Sequence, residues 1–314
     1  MATTVTGKVV TAREGVKIPK SPGPRCDDGL FGPGSITWEV AGHPVVGLAG
    51  WRNAIYTALS SGVSQAVVDH SKQMIDPWSR VRETAYWVYI SVFSDTVEAR
   101  RAGKWVEGMH RKSTGYDPVA GRDYSPFRED LAIAGHCLIW DSQLAAYETY
   151  VRVLSDAERE QYWQEGLRIP ELLGIDPQIM PQTYADWLRY LDSVIRPGLS
   201  YSIAGHKIYD FTVSATWVPF WGRPAVRLLF RLVDELTLAT LGPIERTTYG
   251  KPRSPWRLAL TRRAGVKIAA LTARPALRNL IERALGARIH KVMSEARKID
   301  NGQFRTATSQ KMAG

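Results

Sequence analysis

Helix-start signals recur along this chain and constrain its fold more than any other feature. "DPWSRVRETAYWVYISVF" opens on Asp76 with Pro77 at the first helical position. There a side-chain oxygen can cap an orphan backbone N–H, and the donor that proline lacks is not missed. "SDTVEARRAGKWVEGMHRK" sets Asp95 and Glu98 three apart, and "SDAEREQYWQEGLRIPELLG" does the same with Ser155 and Glu158, the spacing of a capping box. Ser125–Pro126 opens "SPFREDLAIAGHCLIWDSQLAAYETYVRVL", about seven turns of largely apolar helix. "TYADWLRYLDSVI" stops against Pro197 and Gly198. "PAVRLLFRLVDELTLATLG", "SPWRLALTRRAGVKIAAL" and "RPALRNLIERALGARIHKVM" are delimited by Gly242, Ser254–Pro255 and Pro275, and Pro44 to His70 also keeps a helical period. Only "GLSYSIAGHKIYDFTVSATWVPFW" admits either strands or a buried helix. The spacing predicts an all-α fold of roughly nine helices. It forms one domain over 31–290, with a flexible arm over 1–30 and a basic, mobile tail over 291–314.

With 44% hydrophobic residues in 314, the chain can bury a substantial core. Its two cysteines, Cys26 and Cys137, make no disulfide framework and fit a reducing cytoplasm. Charged residues interrupt the first thirty positions, so no signal peptide is expected. No apolar run reaches the length of about eighteen needed to span a bilayer. The net charge of +10 is uneven: from Gly222 onward there are 19 Lys/Arg against 6 Asp/Glu, leaving 22 against 25 in the rest. Arginines spread among Leu, Ala and Val on helices fit a solvated face or peripheral contact with an acidic membrane, and nucleic acid is not expected as a partner.

Glycine-rich phosphate loops, nucleophile elbows and C-x-x-C pairs are all missing. The six histidines (43, 70, 110, 136, 206 and 290) are isolated singles, which excludes a helical zinc pair. What remains is a site using one histidine at a time. His136, inside "AIAGHCLIWDS", shares a helical face with Ala132, Ile133, Ile139 and Trp140. Gly135 beside it would let a backbone or planar ligand approach. A buried neutral imidazole bonded to a carbonyl is one reading. A single axial ligand to haem iron is the other, since haem needs one imidazole, an apolar cleft and cations for its propionates. In "SRVRETAYWVYIS", Arg80 and Thr84 also share a face. They could meet a bound oxygen species or a propionate, or be a surface arginine and a hydroxyl bonded back along the helix.

The ordered segments "LFGPGSITWEVAG", "VVDHS", "DPWSRVRETAYWV", "GMHRKSTG", "GHCLIWDSQLAAYETY" and "LSDAEREQYWQEGLRIPELLGI" resemble the haem-containing oxygenase family of latex-clearing protein and the mycophenolate-pathway oxygenase B. The resemblance is to its shorter bacterial branch and runs from about Leu30 to Arg283. It implies a globin-reminiscent helical domain binding haem b between helices. His136 matches the proximal iron ligand, and Arg80 and Thr84 match the distal arginine–threonine pattern. His70 and His110–Arg111 match family positions that would serve either the cofactor, through propionate contacts or supporting bonds, or a structural hydrogen bond; Trp140, on the His136 face, is a further candidate for cofactor contact. Latex-clearing enzymes carry a lysine just before that threonine; this chain has Glu83, so lysine capping of the iron is not implied. Ser60 and Ser61 stand where bacterial relatives often have a histidine.

The expected function is that of a haem b-dependent oxygenase or oxidase, possessed of an apolar or aromatic small-molecule substrate and placed in secondary metabolism. O₂ or a peroxide would react opposite His136, with Arg80 polarising oxygen, Thr84 relaying a proton and Glu83 as general base. A non-catalytic haem sensor or ligand carrier is the alternative.

Overall fold

The computed structural model describes residues 25–71 and 76–300. Its helices run α1 (Ile36–Gly42), α2 (Gly47–Ala58), α3 (Ser61–His70), α4 (Pro77–Phe93) and α5 (Thr96–His110). A small hairpin follows, β1 (Gly115–Asp117) against β2 (Arg122–Tyr124), in antiparallel register with Tyr116 opposite Asp123. Next come α6 (Glu129–Tyr150), α7 (Asp156–Gly166), α8 (Ile169–Leu172), α9 (Tyr184–Tyr190) and α10 (Ile203–Ser214). The chain continues with α11 (Arg223–Leu238), α12 (Pro243–Thr248), α13 (Pro255–Thr272), α14 (Pro275–Leu285) and α15 (Ala287–Asp300). The fold is all-α, with shorter and more numerous helices than the start signals alone indicate.

Two of the sequence signals act as read, and Asp95 with Glu98 makes half a box because the Glu98 carboxylate pairs with Arg288. Asp76 accepts from Ser79 N, Asp95 accepts from Glu98 N, and Ser155 with Glu158 forms a complete capping box. Two readings shift. The long central helix begins at Glu129, because Ser125 to Arg128 forms a turn in which Arg128 N donates to Ser125 O. The ambiguous stretch becomes α10, capped by the Ser202 side chain on Gly205 N.

Helix α6 is the axis of the core. Its buried residues include Ala132, Ile133, His136, Cys137, Leu138, Trp140, Leu144 and Tyr147, which together cover every side of the helix, as in a helix surrounded by others. Helix α2 lies along it, with α1 and α13 on other sides. The contact between α2 and α6 holds a buried charge: Arg52 pairs with Asp141 and donates to Ser142 Oγ at 3.3 Å. From Arg52 the bonding passes through Tyr56 to Glu245, which also accepts from Arg196 at 2.9 Å. Such a chain leaves few of its buried charges unmatched and fixes the register of α2 on α6.

Residues 25–30 of the expected arm and 291–300 of the expected tail are held against the helices. Residues 25–29 clasp the α4–α5 corner: Arg25 Nη1 donates to Phe93 O at 2.6 Å, and Asp27 Oδ1 accepts from Thr96 N at 2.8 Å. Gly29 has φ +82°, and a Cβ there would sit 2.1 Å from Ser94 O, so only glycine fits this clasp. At the other end α15 buries Ile289, Val292, Met293 and Ala296 against α4 and α14. Arg288 pairs with Glu98 of α5. Apolar spacing therefore carries the helix to Asp300; residues 301–314, the rest of the expected tail, lie outside the described residues, as do 1–24 of the arm.

Candidate functional site

His136 sits in the middle of α6, 8% exposed. Its imidazole stacks on Trp140 at 5.1 Å between centroids, and Trp163 of α7 lies 5.5 Å away at a tilt. Trp140 stacks in turn on Tyr162, and Trp163 on Trp187 of α9 at 4.4 Å. Burial among these rings pushes the His136 pKa down to about 3, since little there solvates a cation. The ring is therefore neutral at physiological pH. Its Nε2 is buried without a hydrogen-bond partner among the described residues, where interiors normally pair such atoms. The carbonyl-bonded imidazole of the bland reading is not what Nε2 makes. A Cβ built on Gly135 would meet nothing within 4 Å, so no backbone uses the space that this glycine leaves open.

The second group stands on α4. Arg80, Glu83 and Thr84 are half-buried on its first two turns. Burial lowers the Arg80 pKa and Glu83 pulls it back up. Arg80 makes no side-chain hydrogen bond or ion pair to the described residues. Its charge bears on His110 at the end of α5, whose pKa falls to about 4, mainly through burial and then through Arg80. His110 meets Phe127 edge-on at 6.4 Å, just before α6. The Thr84 hydroxyl donates to Arg80 O at 3.0 Å, so its proton is engaged and its oxygen remains free to accept. Helix α4 packs on α1, α5, α14 and α15 and has no comparable contact along α6. The arginine group and the histidine group thus stand on two helices that are not packed face to face.

Not every expected position joins these groups. His70 Nε2 lies 3.0 Å from Thr114 O and its ring meets Tyr124, tying α3 to the hairpin. Ser61 donates to Asp117 Oδ2 at 2.7 Å, and Ser60 precedes α3 without capping it. The Phe31–Ser35 segment is a turn: Gly32 and Gly34 have positive φ, and Ser35 caps α1.

Several neighbours escape sequence reasoning. Trp163 reaches His136 only because α7 folds back beside α6, and Trp187 of α9 backs Trp163 from behind. Gly166 lets Trp140 lie against α7, since a Cβ there would be 2.0 Å from its Nε1. One turn before His136, Ile133 borders an open depression of about 480 Å³, shared with Arg128, Tyr190 and Val194. Val194 belongs to a π-helical turn, Leu191–Ile195, a local widening that recurs at functional sites. No local pattern in the sequence announces it.

The donor set limits what the site can hold. Among the described residues no group of three or more His, Cys, Asp or Glu could bind a metal ion. One neutral imidazole cannot retain iron alone, but a macrocycle supplying four donors needs only that one axial ligand. The unpartnered Nε2 and its aromatic surroundings fit such a group.

The fold is all-α, with a buried imidazole in the middle of its central helix. The family described as "ER-bound oxygenase mpaB/B'/Rubber oxygenase, catalytic domain" matches residues 38–274, about three quarters of the chain. The protein belongs to this family, and its domain is of the oxygenase class. No curated protein and no solved structure matches the chain.

Proposed function

We propose that the protein is a haem b-dependent oxygenase or oxidase acting on an apolar or aromatic small molecule, with His136 as the residue that would hold its iron. The observation that carries this reading is the buried Nε2 of His136, neutral and without a hydrogen-bond partner among the described residues. A neutral imidazole nitrogen is a ready iron ligand, and burying one unpaired costs free energy that ligation would recover. Haem b, when bound, supplies the iron at which oxygen chemistry takes place.

The chain's own residues then have distinct tasks. Trp140 and Trp163 fix the imidazole plane and exclude water from it. Arg80, lacking a carboxylate partner among the described residues other than its neighbour Glu83, can receive an anionic oxygen, whether of a propionate or a polarised substrate. Glu83 on the same turn offers a carboxylate base. Thr84 can accept a proton-bearing group at Oγ1 while its own proton stays on Arg80 O. His110, kept neutral by burial and by Arg80, serves as a polar wall without adding charge. The aromatic rings around His136 favour a substrate with little polar surface.

The test is absorption spectroscopy of purified protein supplied with haem. A Soret band is expected that disappears in His136→Ala, while far-UV circular dichroism stays at the wild-type helical level. A wild-type protein that stays colourless, or a band unchanged in a folded His136→Ala variant, would remove the basis of the assignment. Oxygen uptake with apolar substrates then separates the enzyme from a sensor or carrier having the same spectrum.

A further inference from the structure

Helix α11 has two unlike sides. One side carries half-buried Val226, Phe230 and Val233 with buried Asp234 and Thr237. The other begins at the short turn Phe220–Gly222, where Phe220 is 78% and Trp221 75% exposed. Counted from Trp221, positions four, seven, eight and eleven residues on are Ala225, Leu228, Leu229 and Leu232, one face of a helix. Leu228 is 68%, Leu229 57% and Leu232 47% exposed. A stripe of this kind is not ordinary scattered surface leucine, because its members are contiguous and end in an exposed indole.

The charge around the stripe has one sign. Arg231 borders the stripe beside Leu228, Arg227 lies farther round the same flank, and Arg223 sits nearly opposite at the start of the helix. Arg223 and Arg227 donate to the backbone oxygens of Val218, Thr216 and Ser214, which orients them without neutralising them. Arg231 makes no hydrogen bond or ion pair to a described residue. No Asp or Glu lies between Asp210 and Asp234. Asp234 and Glu235 are already paired, with Lys251 and with Arg253 and Arg257. The adjoining α13 adds exposed Trp256 and Leu260, and no carboxylate occurs between Glu245 and Glu282.

An apolar stripe bordered by arginines and ending in tryptophan matches the interface of a bilayer, where indoles sit at the headgroups and guanidinium groups meet lipid phosphate. A second copy of the chain fits less well, since a symmetric contact would oppose arginine to arginine with no free carboxylate between them. No helix of the described residues is long and apolar enough to cross a membrane, so the contact is one of lying on the surface. We propose that the Phe220–Trp221 turn and α11 form a docking face for an anionic phospholipid bilayer. The leucine stripe enters the headgroup–acyl boundary, and Arg227 and Arg231 contact the phosphates.

The full chain is sedimented with vesicles of phosphatidylcholine alone and of phosphatidylcholine mixed with phosphatidylglycerol. Binding is expected to the mixed vesicles, weakening as salt rises. A Leu228→Gln, Leu229→Gln, Leu232→Gln variant should bind more than about tenfold more weakly. Arg227→Gln with Arg231→Gln should remove the preference for phosphatidylglycerol. All these positions are exposed, so circular dichroism should match the wild type. The proposal is overturned if the chain stays in the supernatant with both vesicle types, or if the folded leucine variant binds as before. It is equally overturned if the substitutions abolish a dimer in solution and leave vesicle binding intact, which would assign the face to a second copy.

Discussion

Two buried ring nitrogens in α6, Nε2 of His136 and Nε1 of Trp140, have no hydrogen-bond partner among the described residues, and they lie on stacked rings. Their placement depends on Gly166. Gly166→Ala would drive a methyl into Trp140 Nε1 and push the indole toward His136. Overpacking of this kind costs about 1–3 kcal/mol. Urea denaturation should show that loss, and cofactor binding should weaken with it. Across the site, Arg80 contributes to the low pKa of His110. Arg80→Met should therefore raise the His110 pKa, seen as an upward shift in its imidazole proton titration by NMR. An unchanged titration would show that burial alone sets it. At this scale His136 was legible as a candidate because it interrupts an apolar helical face. Its lack of a partner was not legible, since that depends on what α7, backed by α9, brings against it.

Among the elements, the helix starts were the most readable feature because caps are local: Asp76, Asp95 and Ser155 each bond within their own first turn. Where local signals compete, context decided. Ser125–Pro126 looks like a helix start, yet the chain turns there and α6 begins at Glu129. Helix α10 resolved an ambiguity that β-branched and aromatic residues create, and its Gly205 passes so close to Ala58 that a Cβ would sit 2.2 Å from that residue's carbonyl oxygen. The C-terminal boundary has a direct test. Ile289 and Val292 of α15 are 2% and 1% exposed. Met293→Ala, at a site 4% exposed within the expected tail, should cost about 2–5 kcal/mol, measured as a lower denaturation midpoint. A mobile tail would lose nothing on the same substitution.

For the whole molecule, acid sensitivity follows from its buried imidazoles. His43, His110 and His136 are all held below their ordinary pKa of 6.5, chiefly by burial. The unfolded chain takes up protons near pH 6.5 that these folded rings refuse, so stability falls as pH drops through that value. The loss continues until the folded pKa values are reached, about 4 for His110 and about 3 for His136. The slope is up to about 1.4 kcal/mol per pH unit for each ring that stays neutral. Carboxylates held low by arginine, such as Glu39 and Glu158, add their own loss only as pH falls below about 4.5. Urea midpoints of cofactor-free protein should therefore already fall between about pH 7 and about pH 5. His136→Leu should flatten part of that decline; an undiminished slope would mean that His136 is protonated in the folded chain.

The sequence by itself determined the all-α class, most helix starts, the family and the short list of residues worth following. These rest on caps, periodicity and ordered segments, which are local along the chain. Only the tertiary structure decided that His136 keeps a bare Nε2 among Trp140 and Trp163, that Arg80 shares its surroundings with His110, and that His70 serves the hairpin. It also decided that α15 closes over α4, while the leucine face of α11 stays open. Each of those outcomes depends on which distant segment arrives at a given face, and packing makes that choice over separations that no local pattern spans.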